Sequence, residues 1–360
     1  MYHEGDNTVT NLPRETLRII DANMNRIGEG LRVLEEFARM SLNDTGITQA
    51  LKTLRHTAVS LPADLQAGLL GARDSAGDVG RSMNVPGGEK HRGIPETVIA
   101  NAKRVQESLR VMEEMAKTTG GELDPEIYRQ TRFSLYTIEK DLLLRLRRSE
   151  KLGKLKGLYV IIDADFLKGR NPADLARTII QSGVTVLQYR DKMNSPRDML
   201  AAAVKIKSVC DGTGTLFIIN DSLETTLAVD ADGLHIGQDD IPCDVARRLL
   251  PADKVLGVSV RTVAEARKAR EQGADHLGVG AMYATSTKDD ALVVGPGRIT
   301  EIKQAVDLPV VAIGGISAGN IGEVMKAGAD SAAVISAVMG ADDAGQAVRI
   351  LQQKIEEANG

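Results

Sequence analysis

An amide and two cations occupy alternate positions at the end of one short apolar run. These are Gln188, Arg190 and Lys192, in the order Gln-Tyr-Arg-Asp-Lys. Alternate residues of a strand share a face, so the three side chains are predicted to point into one space. Two cations and an amide suit a highly charged anion, such as a diphosphate, better than a monoanion. The alternative is a solvated rim in which the cations pair with Asp191.

Two acidic residues follow the next two apolar runs. Asp221 comes directly after Asn220, and Asp240 ends the segment Asp-Gly-Leu-His-Ile-Gly-Gln-Asp-Asp. On adjacent strand ends, both carboxylates would reach one hard cation. Mg²⁺ typically takes one or two carboxylates and completes its shell with water and phosphate oxygens. The sequence therefore predicts a magnesium-assisted diphosphate site, with Asp232 and Asp239 as competing ligands that spacing does not exclude.

His235 lies inside the segment 232–240, which ends at Asp240. A single histidine in a buried strand is more often a hydrogen-bonded core residue than a catalyst. We therefore favour a structural role and keep general-base catalysis as the alternative.

A second anion site is predicted from the last two runs, which end at Gly314-Gly315 and at Ser336. Glycine lets backbone N–H groups approach a phosphate, and a following helix N-terminus adds positive dipole. The long segment 281–298 is predicted to be a lid over the site, with a disordered surface loop as the alternative. Its polar residues that could contact phosphate are Thr285, Ser286, Thr287 and Lys288.

Eight apolar runs carry these polar ends, and helical segments alternate with them. Near-continuous apolar strands alternating with helices indicate a parallel sheet that is covered on its outer face. Eight such units in about 200 residues fit a closed (β/α)8 TIM barrel, where chemistry lies at the carboxyl ends of the strands. The runs are 158–162, 184–190, 216–220, 233–236, 255–259, 276–280, 309–313 and 331–335.

Residues 1–150 have a different period. Apolar residues recur at helical spacing over 19–40, 47–61, 94–117 and 125–146, which predicts an all-α helical domain before a barrel domain at 151–360. The segment 22–39 aligns without gaps to 100–117, so the helical half contains an internal duplication. The repeated positions include Asn23/Asn101, Arg26/Arg104, Glu29/Glu107, Arg32/Arg110 and Glu35-Glu36/Glu113-Glu114.

The repeated charges allow two interpretations. They could form solvated faces with Glu–Arg pairs one turn apart, worth about 0.2–0.5 kcal/mol each. Alternatively, they could line a polar pocket between the duplicated helices, capped by the glycine-rich segment 72–93. The linker 145–154 is short and basic and could continue a helix towards the barrel.

Composition excludes several classes of protein. The chain has 360 residues and a formal net charge of −4, which argues against a general nucleic-acid binder. No run reaches the ~18 apolar residues of a membrane span, and the first residues lack the apolar segment of a secretory signal. Cys210 and Cys243 show neither CxxC spacing nor a histidine cluster. We expect a cytoplasmic protein that acts on small molecules, and the sequence leaves a homo-oligomer open.

These motifs together resemble the thiamine-phosphate synthase family. The resemblance covers roughly residues 155–340 and rests on the ordered segments QYRDK, INDS, DGLHIGQDD, GVS, TSTK, AIGGI and VIS. It implies a transferase that joins hydroxymethylpyrimidine diphosphate to hydroxyethylthiazole phosphate, giving thiamine phosphate and pyrophosphate with Mg²⁺. The loop departs from the family wording, since Ala281, Ala284 and Ser286 stand where prolines are usual.

The resemblance also implies roles for individual residues. Asp221 and Asp240 are the implied Mg²⁺ ligands. Arg190, Lys192 and Lys288 are implied to be catalytic, because they stabilise charge on the departing pyrophosphate. The implied contacts to the pyrimidine diphosphate are Gln188, Arg190, Lys192, Asn220, Ser259 and Lys288. The implied contacts to the thiazole phosphate are Thr285, Thr287, Gly315, Ile335 and Ser336.

The helical half resembles the N-terminal extension of longer, cyanobacterial-type synthases, which implies an additional activity related to pyrimidine phosphates. Two rival functions stay open at this point. One is a thiazole tautomerase, a sister barrel without a diphosphate or metal site. The other is a non-catalytic sensor of thiamine precursors whose helical half binds a partner.

Overall fold

The computed structural model describes residues 12–74, 77, 93–285 and 292–360. The chain divides into two compact units, the first ending at Leu146 and the second running from Arg147 to Gly360. The division falls within one long helix, so the predicted linker 145–154 is mostly helical. Within the described residues, no helix is both long enough and apolar enough to cross a membrane.

The first unit is helical. Each helix buries one apolar stripe in a shared core, and each large aliphatic side chain buried there contributes about 1.5–3 kcal/mol. A short π-helical segment, Phe37–Ser41, follows α1, and α3 was not predicted from the sequence. The helices are α1 Arg14–Glu36, α2 Thr45–Val59, α3 Ala63–Ala72, α4 Ile94–Ala116 and α5 Pro125–Leu152.

The duplication is visible where α1 and α4 pack together. A Cβ on Gly30 would meet the Val105 side chain at 2.4 Å, so the two helices approach closely at this glycine. The repeat places the small, buried Ser108 at the equivalent position of α4. Small residues at both positions allow the close approach of two helix backbones.

The repeated glutamates form equivalent buried ion pairs. The Glu35 carboxylate accepts hydrogen bonds from Arg55 of α2 at 3.1 and 3.2 Å, and Glu113 accepts one from Arg132 of α5 at 2.9 Å. The side chain of Asn23 instead donates to the Ile19 carbonyl of its own helix. These repeated groups are therefore engaged in fixed pairs. Most of the segment predicted to cap a pocket, 75–76 and 78–92, lies outside the described residues.

The second unit is a closed barrel of eight parallel strands in the order β1 to β8, which confirms the predicted fold class. Seven of the eight strands begin within one residue of the predicted run, and β2 begins two residues later. A short 3₁₀ turn, Ala164–Phe166, follows β1. The strands are β1 Gly157–Asp163, β2 Val186–Arg190, β3 Leu216–Asn220, β4 Gly233–Ile236, β5 Val255–Val260, β6 His276–Val279, β7 Val310–Ile313 and β8 Ser331–Val334.

Helices cover the outer face of the barrel, and the larger apolar core lies between them and the strands. Several begin at polar N-caps, including Asn171, Ser195 and the capping box of Thr262 with Glu265; such caps are worth about 0.5–2 kcal/mol each. The helices are α6 Pro172–Gln181, α7 Pro196–Cys210, α8 Leu223–Ala228, α9 Cys243–Leu249, α10 Val263–Glu271, α11 Gly297–Ala305, α12 Ile321–Lys326, α13 Ser336–Met339 and α14 Ala344–Asn359.

Asp232 lies at the amino-terminal end of the barrel, opposite the predicted site. Its carboxylate accepts a hydrogen bond from the Phe217 N–H at the start of β3 and pairs with Lys151 at 3.1 Å. Asp240 follows the other end of β4. Asp232 therefore does not compete for the predicted metal site.

Candidate active site

The carboxyl ends of the strands surround one cavity of about 450 Å³. Residues from all eight strands line it, as expected where parallel strands of a barrel end. All the predicted site residues in the described part of the chain line this cavity. The other two predicted residues, Thr287 and Lys288, lie outside the described residues. The predicted residues that line it are Gln188, Arg190, Lys192, Asn220, Asp221, Asp240, Ser259, Thr285, Gly315, Ile335 and Ser336.

A chain of hydrogen bonds fixes Gln188 in the wall of the cavity. Its Nε2 donates to Asn220 Oδ1 at 2.7 Å, and its Oε1 accepts from the Tyr159 hydroxyl at 2.8 Å. Gln188 and Tyr159 are both buried. The amide therefore has one defined orientation, and the bond couples the side chains of β2 and β3.

Arg190 is oriented by a residue that the sequence analysis missed. Its guanidinium pairs with Asp163 Oδ2 at 2.5 Å, and Asp163 is only 1% exposed. The register aligns the two residues as neighbours at the ends of β1 and β2. Asp163 ends β1, and Asp221 directly follows the end of β3. The rule that strand ends carry chemistry would therefore have identified Asp163 as well. A buried carboxylate holds the guanidinium in place while leaving its other N–H groups for a ligand.

Asp221 and Asp240 form a tightly coupled pair of carboxyl groups beside Lys192. The two carboxyls lie within hydrogen-bonding reach of each other, and Lys192 forms an ion pair with Asp221. Burial and the neighbouring Asp240 raise the pKa of Asp221 to about 6. Burial opposes ionisation of Asp240 as well, but hydrogen bonds from Asp221 and the Gly237 N–H outweigh it and lower its pKa. The pair thus carries one negative charge below about pH 6 and two above it, and a divalent cation would favour the doubly charged form.

The backbone brings Asp221 into this position. Its φ is +63°, in the left-handed region that aspartate and asparagine tolerate better than most residues. Its N–H donates to the His235 carbonyl at 2.8 Å, which ties the end of β3 to β4. Strained backbone of this kind tends to occur at functional sites.

The donor set of this pair fits Mg²⁺. Two carboxylates with hard oxygen atoms share one corner of a polar cavity, and a coupled acid pair of this kind gains from a divalent cation. In the described residues, no group of three or more histidine, cysteine, aspartate or glutamate side chains could hold a metal. Substrate oxygens and water would therefore have to complete the coordination. Asp239 also lines the cavity, but it is exposed.

Ser259 and His235 meet on neighbouring strands. His235 Nε2 lies 2.9 Å from Ser259 Oγ, and the Gln238 amide donates to the Ser259 carbonyl at 2.5 Å. Burial lowers the pKa of His235 to about 4. His235 is therefore a neutral, hydrogen-bonded residue, and the structure favours the structural interpretation over general-base catalysis.

His276, which the sequence analysis did not single out, is a second neutral histidine inside the barrel. It is fully buried, and burial lowers its pKa to about 3, from 6.5. Because the folded state resists protonation, only unfolding lets this ring bind a proton below pH 6.5. Its contribution to stability is complete above pH 6.5 and is lost as the pH falls towards 3.

We expect the free energy of unfolding of the barrel to fall by about 1.4 kcal/mol per pH unit from this histidine alone between pH 6.5 and 4. Urea unfolding followed by circular dichroism at several pH values measures it. The His276→Phe variant should show a shallower slope than the parent chain, and equal slopes would contradict the assignment.

A second group of backbone and side-chain atoms lies across the cavity, at the ends of β7 and β8. Gly314 and Gly315 have φ values of +101° and +65°, and a Cβ on Gly315 would meet the Ala284 carbonyl oxygen at 2.5 Å. Ile335 and Ser336 contribute the start of α13, where N–H groups of a first turn lack intrahelical partners. Backbone donors held this way suit a phosphate monoester.

The loop after β6 joins this second group. The Tyr283 hydroxyl donates to Glu323 at 2.9 Å, which anchors the loop to α12. Thr285, the last residue described before position 286, lines the cavity. The lid prediction for 281–298 depends on residues 286–291, which lie outside the described residues, and it stays a prediction.

Comparisons with known proteins agree with this division into two units. A family model described as thiamine monophosphate synthase matches residues 158–338, and one described as the ThiD2 family matches residues 18–141. Together they cover both the barrel and the helical unit.

Curated relatives match nearly the whole chain. A thiamine-phosphate synthase of Nostoc sp. is 37% identical over 95% of this chain and 94% of its own length. One of Prochlorococcus marinus is 36% identical over 91% of this chain and 92% of its own length. A solved thiamine phosphate pyrophosphorylase from Pyrococcus furiosus is 38% identical, covers 60% of this chain and 100% of its own, and has a TM-score of 0.53.

Proposed function

We propose that the barrel is a Mg²⁺-dependent transferase, because the chain belongs to the thiamine-phosphate synthase family and is therefore an enzyme of thiamine phosphate synthesis. It joins hydroxymethylpyrimidine diphosphate to hydroxyethylthiazole phosphate and releases pyrophosphate. One observation carries this proposal. The carboxylate pair of Asp221 and Asp240, with cations beside it, lies across a single cavity from a phosphate cradle, which is the backbone of Gly314, Gly315 and the start of α13. A thiazole tautomerase would need no such carboxylate pair, and a sensor would need no reacting geometry.

The diphosphate half of the site is built from β2 to β5. Arg190 and Lys192 bring positive charge to the departing pyrophosphate, while Gln188 and Asn220 supply fixed amide contacts. Asp221 and Asp240 would hold Mg²⁺, which when bound neutralises charge on the diphosphate oxygens. Because these groups are held by Asp163 and by one another, they need little reorganisation when charge develops.

The thiazole half of the site is built from β6 to β8. Thr285, Gly315, Ile335 and Ser336 line the cavity opposite the cations and would hold the phosphate of the second substrate, with Thr287 and Lys288 proposed to join from the loop. The barrel thus orients the thiazole nitrogen towards the pyrimidine methylene carbon. Attack by that nitrogen requires no general base, which agrees with a neutral His235.

The cradle leads to a prediction about Gly315. We expect Gly315→Ala to raise the KM for thiazole phosphate at least about tenfold, because a Cβ there would strike the Ala284 carbonyl and strain a left-handed backbone. Steady-state kinetics with each substrate varied in turn measure it, and the KM for the diphosphate should hardly change.

Gly319→Ala is the matched control. Gly319 follows the same strand, but a Cβ there would meet only Ser317 Oγ at 3.8 Å, an ordinary contact. The cradle assignment is wrong if the two variants show the same KM for thiazole phosphate.

The helical unit is proposed to add an activity on pyrimidine phosphates, as its match to the ThiD2 family suggests. It contains its own cavity of about 490 Å³, lined in part by the Asp21–Arg73 ion pair. The direct test incubates the full chain with both barrel substrates, and then with pyrimidine monophosphate, ATP and thiazole phosphate. Thiamine phosphate in the first reaction supports the barrel function; its formation in the second supports a phosphorylating helical unit.

A further inference from the structure

Two histidines flank a glycine within the barrel, below the diphosphate half of the site. The strand register places His235 of β4 beside Gly257 of β5, and Gly257 beside His276 of β6. A Cβ on Gly257 would meet His276 Nε2 at 2.3 Å and His235 Nδ1 at 2.4 Å. The two ring nitrogens therefore crowd the position that a Cβ would occupy, and the glycine lets them approach one another there.

These nitrogens have no partner in the described part of the chain. His235 Nδ1 and both ring nitrogens of His276 are buried without a hydrogen bond, although His235 Nε2 contacts Ser259. A neutral imidazole has one N–H donor and one acceptor nitrogen, and leaving either unsatisfied costs about 1–3 kcal/mol. Buried water fills such polar gaps when two or more partners converge on it.

We propose that His276, one water molecule that bridges the two unpartnered ring nitrogens beside Gly257, His235 and Ser259 form a hydrogen-bond relay that turns the Ser259 proton towards the bound diphosphate. The inference rests on the proposed function, because it assigns Ser259 to the diphosphate half of the site. His276 acts as a positioning residue and touches no reacting atom.

The direction of the relay follows from the donors and acceptors. A phosphate oxygen needs a donor, so the Ser259 hydroxyl must give its one proton to the ligand and accept from His235 Nε2–H. His235 Nδ1 is then the bare acceptor, and His276 Nε2–H supplies the donor through the water. With the opposite tautomer, Ser259 would donate to His235 and present lone pairs to the diphosphate.

Both histidines must stay neutral for this relay. Burial lowers the pKa of each ring, although the nearby Asp240 carboxylate opposes this for His235. The His235 ring, with its centroid 5.6 Å away, lowers the pKa of His276 further. The absence of a Cβ at Gly257 makes room for both rings. Gly278 serves a similar purpose, since a Cβ there would meet His235 Cε1 at 2.8 Å.

The first test uses the unaltered full chain labelled with ¹⁵N-histidine, saturated with inorganic pyrophosphate and Mg²⁺. Nuclear magnetic resonance of the ring nitrogens should show His235 as the Nε2–H tautomer and His276 as an Nε2–H donor. A dominant Nδ1–H tautomer of His235 overturns the relay.

The second test is a double-mutant cycle on pyrophosphate binding measured by calorimetry. His276→Phe should weaken binding about tenfold, and His276→Gln, which keeps an N–H donor, should recover most of it. In the Ser259→Ala background, His276→Phe should have no further effect, because the relay acts only through that hydroxyl. An equal loss in both backgrounds overturns the relay and leaves only a packing role.

The controls separate this inference from the proposed function. If the unaltered chain neither binds pyrophosphate with Mg²⁺ nor forms thiamine phosphate, the proposed function itself fails. If it does both while His276→Phe binds pyrophosphate equally well, only the relay fails. Should His276→Phe not fold, the tautomer measurement on the unaltered chain still decides the relay, because it needs no variant.

Discussion

Asp240→Asn is expected to reduce pyrophosphate release at saturating Mg²⁺ by at least about a hundredfold. The substitution keeps the shape of the side chain and removes one of two charges that would hold the metal against the diphosphate. Asp221→Asn should cause a similar loss. Asparagine is the right replacement there, because it tolerates the φ of +63° that alanine would resist. The rate of pyrophosphate release with both substrates present measures each effect.

Asp239→Asn supplies the matched control. Asp239 is adjacent in sequence, carries the same charge and lines the same cavity, but it is exposed and outside the coupled pair. We expect it to retain most of the parent rate. Comparable losses for Asp239→Asn and Asp240→Asn would mean that general negative charge, rather than a defined metal pair, matters at this rim.

Arg190→Gln is expected to lower kcat/KM for the diphosphate by roughly a hundredfold or more. The loss has two causes, because the variant removes a charge-assisted contact to the leaving group and also leaves buried Asp163 without its cation. Steady-state kinetics measure the loss, and thermal unfolding separates it from destabilisation.

Arg190→Lys distinguishes charge from geometry. Lysine keeps the positive charge but cannot bridge Asp163 and a ligand with a planar fork, so only partial recovery is expected. Parent-like kcat/KM in Arg190→Gln, with the fold intact, would remove Arg190 from the site.

Much of this site could be predicted because it lies at the ends of strands. Apolar runs set the strands, a closed barrel brings their carboxyl ends to one rim, and the residues after each run must then converge there. Gln188, Asn220 and Ser336 were predicted on this basis and line one cavity. Asp163 obeys the same rule but was not predicted, because the apolar run ends at Ile162 while the strand includes Asp163.

The inner layer of the barrel could not be predicted in the same way. His235 looks like an isolated histidine in the sequence, and its relation to His276 depends on the register of β4, β5 and β6. The role of Gly257 depends on the same register. Periodicity identifies strands, but it does not say which residues on three strands share a layer.

The helical unit shows a different limit. The duplication was visible as an ungapped repeat, yet the partners of its buried glutamates, Arg55 and Arg132, lie on helices outside the repeat. Helix α3 was missed because its ten residues, Ala63–Ala72, are apolar on more than one face and show little helical periodicity. Pairing between helices is a tertiary property that a repeat alone does not reveal.

The most direct measurement is pyrophosphate release by the full chain, supplied with both substrates, as Mg²⁺ is titrated from excess chelator to saturation. Negligible release is expected in chelator, with a saturable rise as Mg²⁺ is added that shifts to much higher concentration in Asp240→Asn. Equal rates in chelator and in Mg²⁺ would contradict the metal-assisted diphosphate site at the ends of β3 and β4.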